Sequence, residues 1–153
     1  MKTTTILIIA TVFLFSCGVE PTIEEKPVTP EKSAEDYARE ILQPPADYWP
    51  ISNIEGEITN NPYKEAERHS FNLAFTKLPT DSIAYLEMRY YLFKVWNDYK
   101  YSDALEVKCF DNSQGDYASA FATGVFAPNG EWEDADPKIW IDKFELKLKF
   151  IGN

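Results

Sequence analysis

Residues 71–97 read FNLAFTKLPTDSIAYLEMRYYLFKVWN and place a strand pattern directly before a helix pattern. Every second residue from 71 to 75 is Phe or Leu, and this alternation predicts a half-buried β-strand. Pro79 then interrupts the alternation, and Thr80 or Asp81 can cap the helix that follows. A strand joined to a long helix by one short turn therefore decides the fold class.

The long helix is expected to run to about Asn97 and to bury a wide apolar face. Its apolar side chains form two adjacent stripes at helical spacing: Ile83, Leu86, Tyr90 and Phe93, and beside them Tyr85, Met88, Leu92 and Trp96. A face of this width predicts that the helix is deeply packed.

Three strands are expected after this helix, in residues 105–109, 117–127 and 143–150, with a hairpin turn at 111–115. In the middle strand, small residues share one face and larger residues share the other: Ala118, Ala120, Ala122 and Gly124 against Tyr117, Phe121 and Val125. The long helix is expected to pack on the small-residue face, with Ala120 and Ala122 at the contact.

A shorter helix is expected to begin after Ser33, because Ser33 and Asp36 resemble a capping box, and to end at Pro44. Residues 44–68 show no clear pattern beyond a candidate strand at 51–58.

The predicted elements together indicate that residues 33–153 form a single globular α+β domain. We expect a two-layer sandwich of the long helix on a mainly antiparallel sheet of about four strands, plus the short N-terminal helix.

Residues 1–17, MKTTTILIIATVFLFSC, contain an early Lys and an apolar run shorter than the ~20 residues that a membrane-spanning helix needs. The run ends in Leu14-Phe15-Ser16-Cys17, which resembles the lipobox of bacterial lipoproteins. The resemblance implies that residues 1–16 are a signal peptide and that Cys17 carries a lipid that holds the protein to a membrane. Gly18, where an inner-membrane retention signal has Asp, favours the outer membrane by the same resemblance.

The proline-containing and acidic stretch after the lipobox predicts that residues 17–32 are the lipidated cysteine and a flexible tether. Cys109 is the second of two cysteines, and it has no partner if Cys17 carries lipid. A Cys17–Cys109 disulfide is the alternative, and the two roles of Cys17 exclude each other.

The formal net charge of −10 argues against nucleic-acid binding, since such a surface repels phosphate and the chain has no run of basic residues. The Ala127-Pro128-Asn129-Gly130-Glu131-Trp132 stretch resembles small secreted bacterial domains of unknown function over roughly residues 83–136. That resemblance implies a fold and no particular activity.

His69 is the single histidine and lies near Glu65 and Glu67 in the sequence. One histidine without a cysteine pair does not form a usual structural zinc site, and no Gly-x-Ser-x-Gly motif is present. Glu131, Glu133, Asp134 and Asp136 form an acidic loop, but their spacing differs from that of a calcium-binding EF-hand. No catalytic residue, metal site or cofactor is therefore expected.

Trp49, Trp132 and Trp140 lie in loop-like regions and form the candidate binding surface, and Tyr48 and Tyr63 also lie in such regions. Aromatic side chains in loops can stack on sugars or anchor a protein partner, although burial under loops is their commoner role.

The leading functional hypothesis is a lipid-anchored envelope protein that binds a protein or a glycan and is not an enzyme. The alternatives are an envelope enzyme or metal-dependent protein using His69 or the acidic loop 131–136, and an inhibitor or immunity-type protein for a basic partner.

Overall fold

A computed structural model describes residues 32–62, 65–100, 102–113 and 119–151, which form an α+β fold. The elements in chain order are α1 (Ala34–Leu42), β1 (Asn53–Asn60), β2 (Arg68–Phe75), α2 (Asp81–Asp98), β3 (Ala104–Asp111), β4 (Ala122–Pro128), two single 3₁₀ turns (Trp132–Asp134 and Ile141–Lys143) and β5 (Phe144–Phe150).

Both helices begin at the residues that the sequence indicates. The Ser33 hydroxyl accepts a hydrogen bond from the Asp36 amide, and the Asp36 carboxylate accepts one from the Ser33 amide, which confirms the predicted capping box. Thr80 caps α2 by accepting a hydrogen bond from the amide of Ile83.

The sheet has five strands in the order β1-β2-β3-β4-β5. The β1–β2, β3–β4 and β4–β5 pairs are antiparallel, whereas β2 and β3 are parallel. The α+β class is thus confirmed, but the sheet has five strands instead of about four, and one of its four strand pairs is parallel. The sheet is mixed because α2 carries the chain across it and returns it to β3 in the direction of β2.

The main core lies between the helices and one face of the sheet. Alternate residues of β2, β3 and β5 point into it, as their periodicity predicts. The short helix α1 also contributes Ala38 and Leu42, both fully buried. It contacts α2 and β5, so it belongs to the same layer as the long helix.

The buried face of α2 matches the predicted one only in part, since Met88, Leu92 and Trp96 of the second predicted stripe are buried. Its buried residues are Ala84, Glu87, Met88, Tyr91, Leu92, Val95 and Trp96. Tyr85 and Leu86 are exposed, and the predicted stripe of Ile83, Tyr90 and Phe93 is only half-buried. Apolar residues occur around most of this helix, so periodicity alone could not distinguish its buried side.

The contact between α2 and β4 lies farther along the strand than predicted. Ala122 and Gly124 face the core, and a Cβ atom at Gly124 would lie 3.4 Å from the Met88 sulfur. Ala120 precedes the strand and is half-buried, so it is not at this contact. Phe121 also differs from expectation, because its ring packs edge-on against Phe75 of the main core, at 5.5 Å between centroids.

The segment after β4 forms a turn at the Ala-Pro-Asn-Gly sequence of residues 127–130. Asn129 and Gly130 both have positive φ, 54° and 68°, which Gly130 adopts without steric cost. The first 3₁₀ turn then covers a small second cluster on the other face of the sheet, where half-buried Trp132 and Val125 pack against four alanines.

The predicted signal peptide, Cys17 and most of the tether lie outside the described residues, as do Tyr63 and part of the predicted 111–115 turn. Within the described part of the chain, no helix combines the length and the apolar character that crossing a membrane requires.

Candidate functional site

The best-defined polar cluster is built around Glu87, a fully buried residue of α2. Its Oε1 accepts hydrogen bonds from the Tyr48 hydroxyl at 2.8 Å and from the Ile51 amide at 2.7 Å. Its Oε2 accepts from the Ser52 amide at 3.3 Å and from the Ser52 hydroxyl. All four donors belong to the segment 48–52, so one carboxylate holds that segment against the helix.

Tyr91, one helical turn after Glu87, fixes the same segment from a second direction. Its hydroxyl donates a hydrogen bond of 2.8 Å to the carbonyl of Ser52. Burial raises the pKa of Tyr91, and the nearby Glu87 carboxylate adds to that effect. The pKa of Tyr48 is raised by burial and by its hydrogen bond to Glu87. Both tyrosines are therefore neutral donors at physiological pH.

The segment 48–52 places its polar groups inside and its apolar side chains outside. Trp49 is 88% exposed and Ile51 is 57% exposed, while Ser52 between Ile51 and β1 is buried. An indole with this much exposure contributes nothing to the core. The segment thus combines a hydrogen-bonded backbone with two exposed apolar side chains.

Trp132 and Trp140, the other two predicted surface aromatics, have different surroundings. The Trp132 ring lies under the Arg68 guanidinium at 4.9 Å and is half-buried at the second cluster, which fits a capping role. Trp140 is 59% exposed and borders a cavity of about 370 Å³. Of the three tryptophans in the predicted binding surface, Trp49 and Trp140 are therefore exposed, whereas Trp132 is half-buried against the second cluster.

His69 is buried, and its Nδ1 lies 2.8 Å from the Ser102 hydroxyl oxygen. Burial lowers the pKa of His69, although the Glu67 carboxylate opposes this, so the imidazole is neutral at pH 7. Its ring also packs on Tyr99 at 4.5 Å. No carboxylate of the described residues is hydrogen-bonded to His69, so the orienting third member of a catalytic triad is not found there.

The acidic loop does not converge on a common point. Glu131 forms an ion pair with Lys147 at 2.6 Å, Asp134 accepts from the Asn129 amide group, and Asp136 accepts from the Lys138 backbone. Among the described residues, no group of three or more His, Cys, Asp or Glu side chains is placed to hold a metal ion.

Cys109 is a free, fully buried thiol in the centre of the sheet. Burial raises the pKa of Cys109 to about 12. It therefore behaves as a small apolar core residue and not as a nucleophile, as its place on an alternating strand indicates.

The sequence reasoning missed Glu87, Ser102 and Asp103. Glu87 carried a usable signal, because it is an acidic residue inside an otherwise apolar helix face, at the spacing of Ala84 and Tyr91. Ser102 and Asp103 carried no such signal, since two polar residues before a strand are an ordinary surface pattern.

Comparisons with known proteins do not indicate a function for the chain. No protein-family model matches the chain, and no curated protein and no solved structure matches it significantly.

Proposed function

We propose that the protein is a lipid-anchored, non-catalytic binding module of the bacterial envelope that contacts a protein partner through Trp49 and Ile51. The observation that carries the proposal is Trp49, 88% exposed on a segment that a buried carboxylate holds in place. Aromatic anchors on preorganised surfaces provide much of the free energy of protein binding, since little conformational entropy is lost on contact.

A protein partner fits this surface better than a glycan. Sugar recognition requires polar groups beside the stacking ring, and the hydroxyls of Tyr48 and Ser52 are already bound to Glu87. Trp49 is followed in the chain by half-buried Pro50 and exposed Ile51, which offer apolar area instead. The net charge of −10 favours a partner with a basic surface.

The lipobox-like sequence ending at Cys17 and the tether to residue 32 support the anchoring part of the proposal. A lipid on Cys17 would hold the domain near a membrane, with the outer membrane favoured by Gly18. A short extended tether would let the contact surface reach a partner at the same membrane.

A photo-crosslinking phenylalanine analogue at position 49, in living cells, tests the contact, with the same analogue at exposed position 77 as the matched control. We expect a discrete protein adduct from position 49 alone. The identified partner should bind the Trp49→Ala variant at least about tenfold more weakly, and the Trp140→Ala variant unchanged. Equal adducts from both positions, an adduct with glycan only, or unchanged affinity of Trp49→Ala would contradict the proposal.

A further inference from the structure

The cavity beside Trp140 is open to solvent and is lined largely by aromatic and aliphatic side chains. Trp96 and Phe144 belong to the buried core at its floor, while Ile139 and the 59%-exposed Trp140 stand at its border. Its volume of about 370 Å³ falls within the range of roughly 300–1,000 Å³ found for small-molecule sites. This is enough space for a small organic molecule and too little for a folded partner.

One wall of the cavity is polar and consists of Ser102 and Asp103. The Ser102 hydroxyl is held in position by His69, at 2.8 Å from Nδ1. Asp103 accepts a hydrogen bond of 2.8 Å at Oδ2 from the Glu67 amide. Within the described residues, no hydrogen bond reaches Oδ1 of Asp103, and no lysine or arginine forms an ion pair with its carboxylate.

The electrostatics of this wall select the charge of a ligand. Burial raises the pKa of Asp103. The hydrogen bond from the Glu67 amide opposes this effect, and the carboxylates of Glu67 and Asp136 add to it. An anionic ligand would add to this repulsion, and a neutral one would cover Oδ1 without offsetting the negative charge. A cation would relieve both costs at once.

We propose that the cavity binds a small organic cation, namely a protonated amine attached to an apolar or aromatic body. The ammonium group donates hydrogen bonds to Asp103 Oδ1 and the Ser102 hydroxyl, and the apolar body lies between Trp140 and Phe144. An indole such as Trp140 is also the side chain that attracts a cation most strongly through its π face. This site uses none of the residues of the Trp49 surface, so it does not depend on the proposed function.

Isothermal titration calorimetry on the full-length chain in detergent tests the proposal with three probes of similar size: 2-phenylethylamine, 2-phenylethanol and 3-phenylpropionate. The amine should bind, and the neutral and anionic probes should bind at least about tenfold more weakly, because only the amine forms an ion pair with the half-buried Asp103 carboxylate. Asp103→Asn keeps an acceptor for the Glu67 amide but removes the charge, and it should weaken amine binding by about tenfold or more.

Trp140→Ala should weaken amine binding several-fold, and its exposure makes a folding defect unexpected. Trp49→Ala is the matched control and should bind the amine as the parent does. The proposal is overturned if the amine gives no binding heat, if 2-phenylethanol binds equally well, or if Asp103→Asn and Trp140→Ala both leave amine affinity unchanged.

Discussion

At the scale of single residues, Glu87 is the position on which the segment 48–52 depends. A buried carboxylate is tolerated only when hydrogen bonds replace its hydration, and Glu87 accepts four. The same bonds fix Ile51 and Ser52 outside any regular strand or helix. Removing the carboxylate would therefore leave several buried donors without an acceptor.

Glu87→Gln is expected to lower the free energy of unfolding by about 1–3 kcal/mol. The amide NH₂ of Gln is a donor, and it would face the N–H and O–H donors of segment 48–52. Denaturant unfolding measures the change. Glu145→Gln on the exposed side of β5 is the matched control and should change stability by less than about 0.5 kcal/mol. A Glu87→Gln variant as stable as this control would show that the four hydrogen bonds contribute little.

Cys109 is expected to react slowly with a thiol reagent at pH 8 in the native protein and rapidly after unfolding. Its folded pKa of about 12 lies above the ordinary value of 9.0, so the native thiol stays protonated. The Cys109 thiol ionises at a lower pH in the unfolded chain than in the native protein. The contribution of the protonated thiol to stability is therefore complete below pH 9 and is lost as the pH rises toward 12. Fast native labelling would contradict the assigned burial.

Residue patterns predicted some of this chemistry and missed the rest. Burial of Cys109 followed from strand alternation, and the Ser33–Asp36 capping box followed from local spacing. Glu87 did not, because its partners lie 35 to 39 residues away and only the fold brings them together. The Ser102–His69 contact is likewise long-range, spanning 33 residues.

At the scale of elements, the packing of β3 and β5 side chains over β4 depends on Gly124. A Cβ atom there would lie 2.7 Å from Leu148 Cδ2 and 2.9 Å from Val107 Cγ1, closer than van der Waals contact allows. Gly124→Ala should therefore destabilise the fold by about 1–3 kcal/mol in denaturant unfolding. Ala120→Leu, outside the strand, should lower the free energy of unfolding clearly less than Gly124→Ala does. A larger loss for Ala120→Leu would contradict this and would place the helix contact at Ala120, as the sequence indicates.

The strand and helix patterns were sufficient for α2 and for the alternation of β3 and β5. They indicated a candidate strand at 51–58, which overlaps β1, but they did not indicate its bounds, because β1 contains a bulge between Glu55 and Thr59 and Gly56 at φ 78°. A bulge breaks the period of two on which strand recognition rests. The parallel β2–β3 pair also escaped prediction, because strand direction depends on the path of the connecting helix and not on either strand.

At the scale of the whole molecule, the lipobox-like sequence makes a simple prediction about location. Cys17→Ala should move the protein from the membrane fraction to the soluble fraction, since a lipid chain provides about 0.8 kcal/mol for each buried methylene group. Fractionation with immunoblotting measures the shift, and Cys109→Ala is the matched control. A Cys17→Ala protein that stays with the membranes would contradict lipid anchoring at this cysteine.

The central claim is that buried Glu87 holds the segment that exposes Trp49, and amide hydrogen exchange tests it most directly. The Ile51 and Ser52 amides should be protected in the native protein although they lie outside regular structure. Glu87→Leu should abolish that protection while the central amides of β3 remain protected. Rapid exchange of Ile51 and Ser52 in the native protein, or protection that survives Glu87→Leu, would contradict the claim.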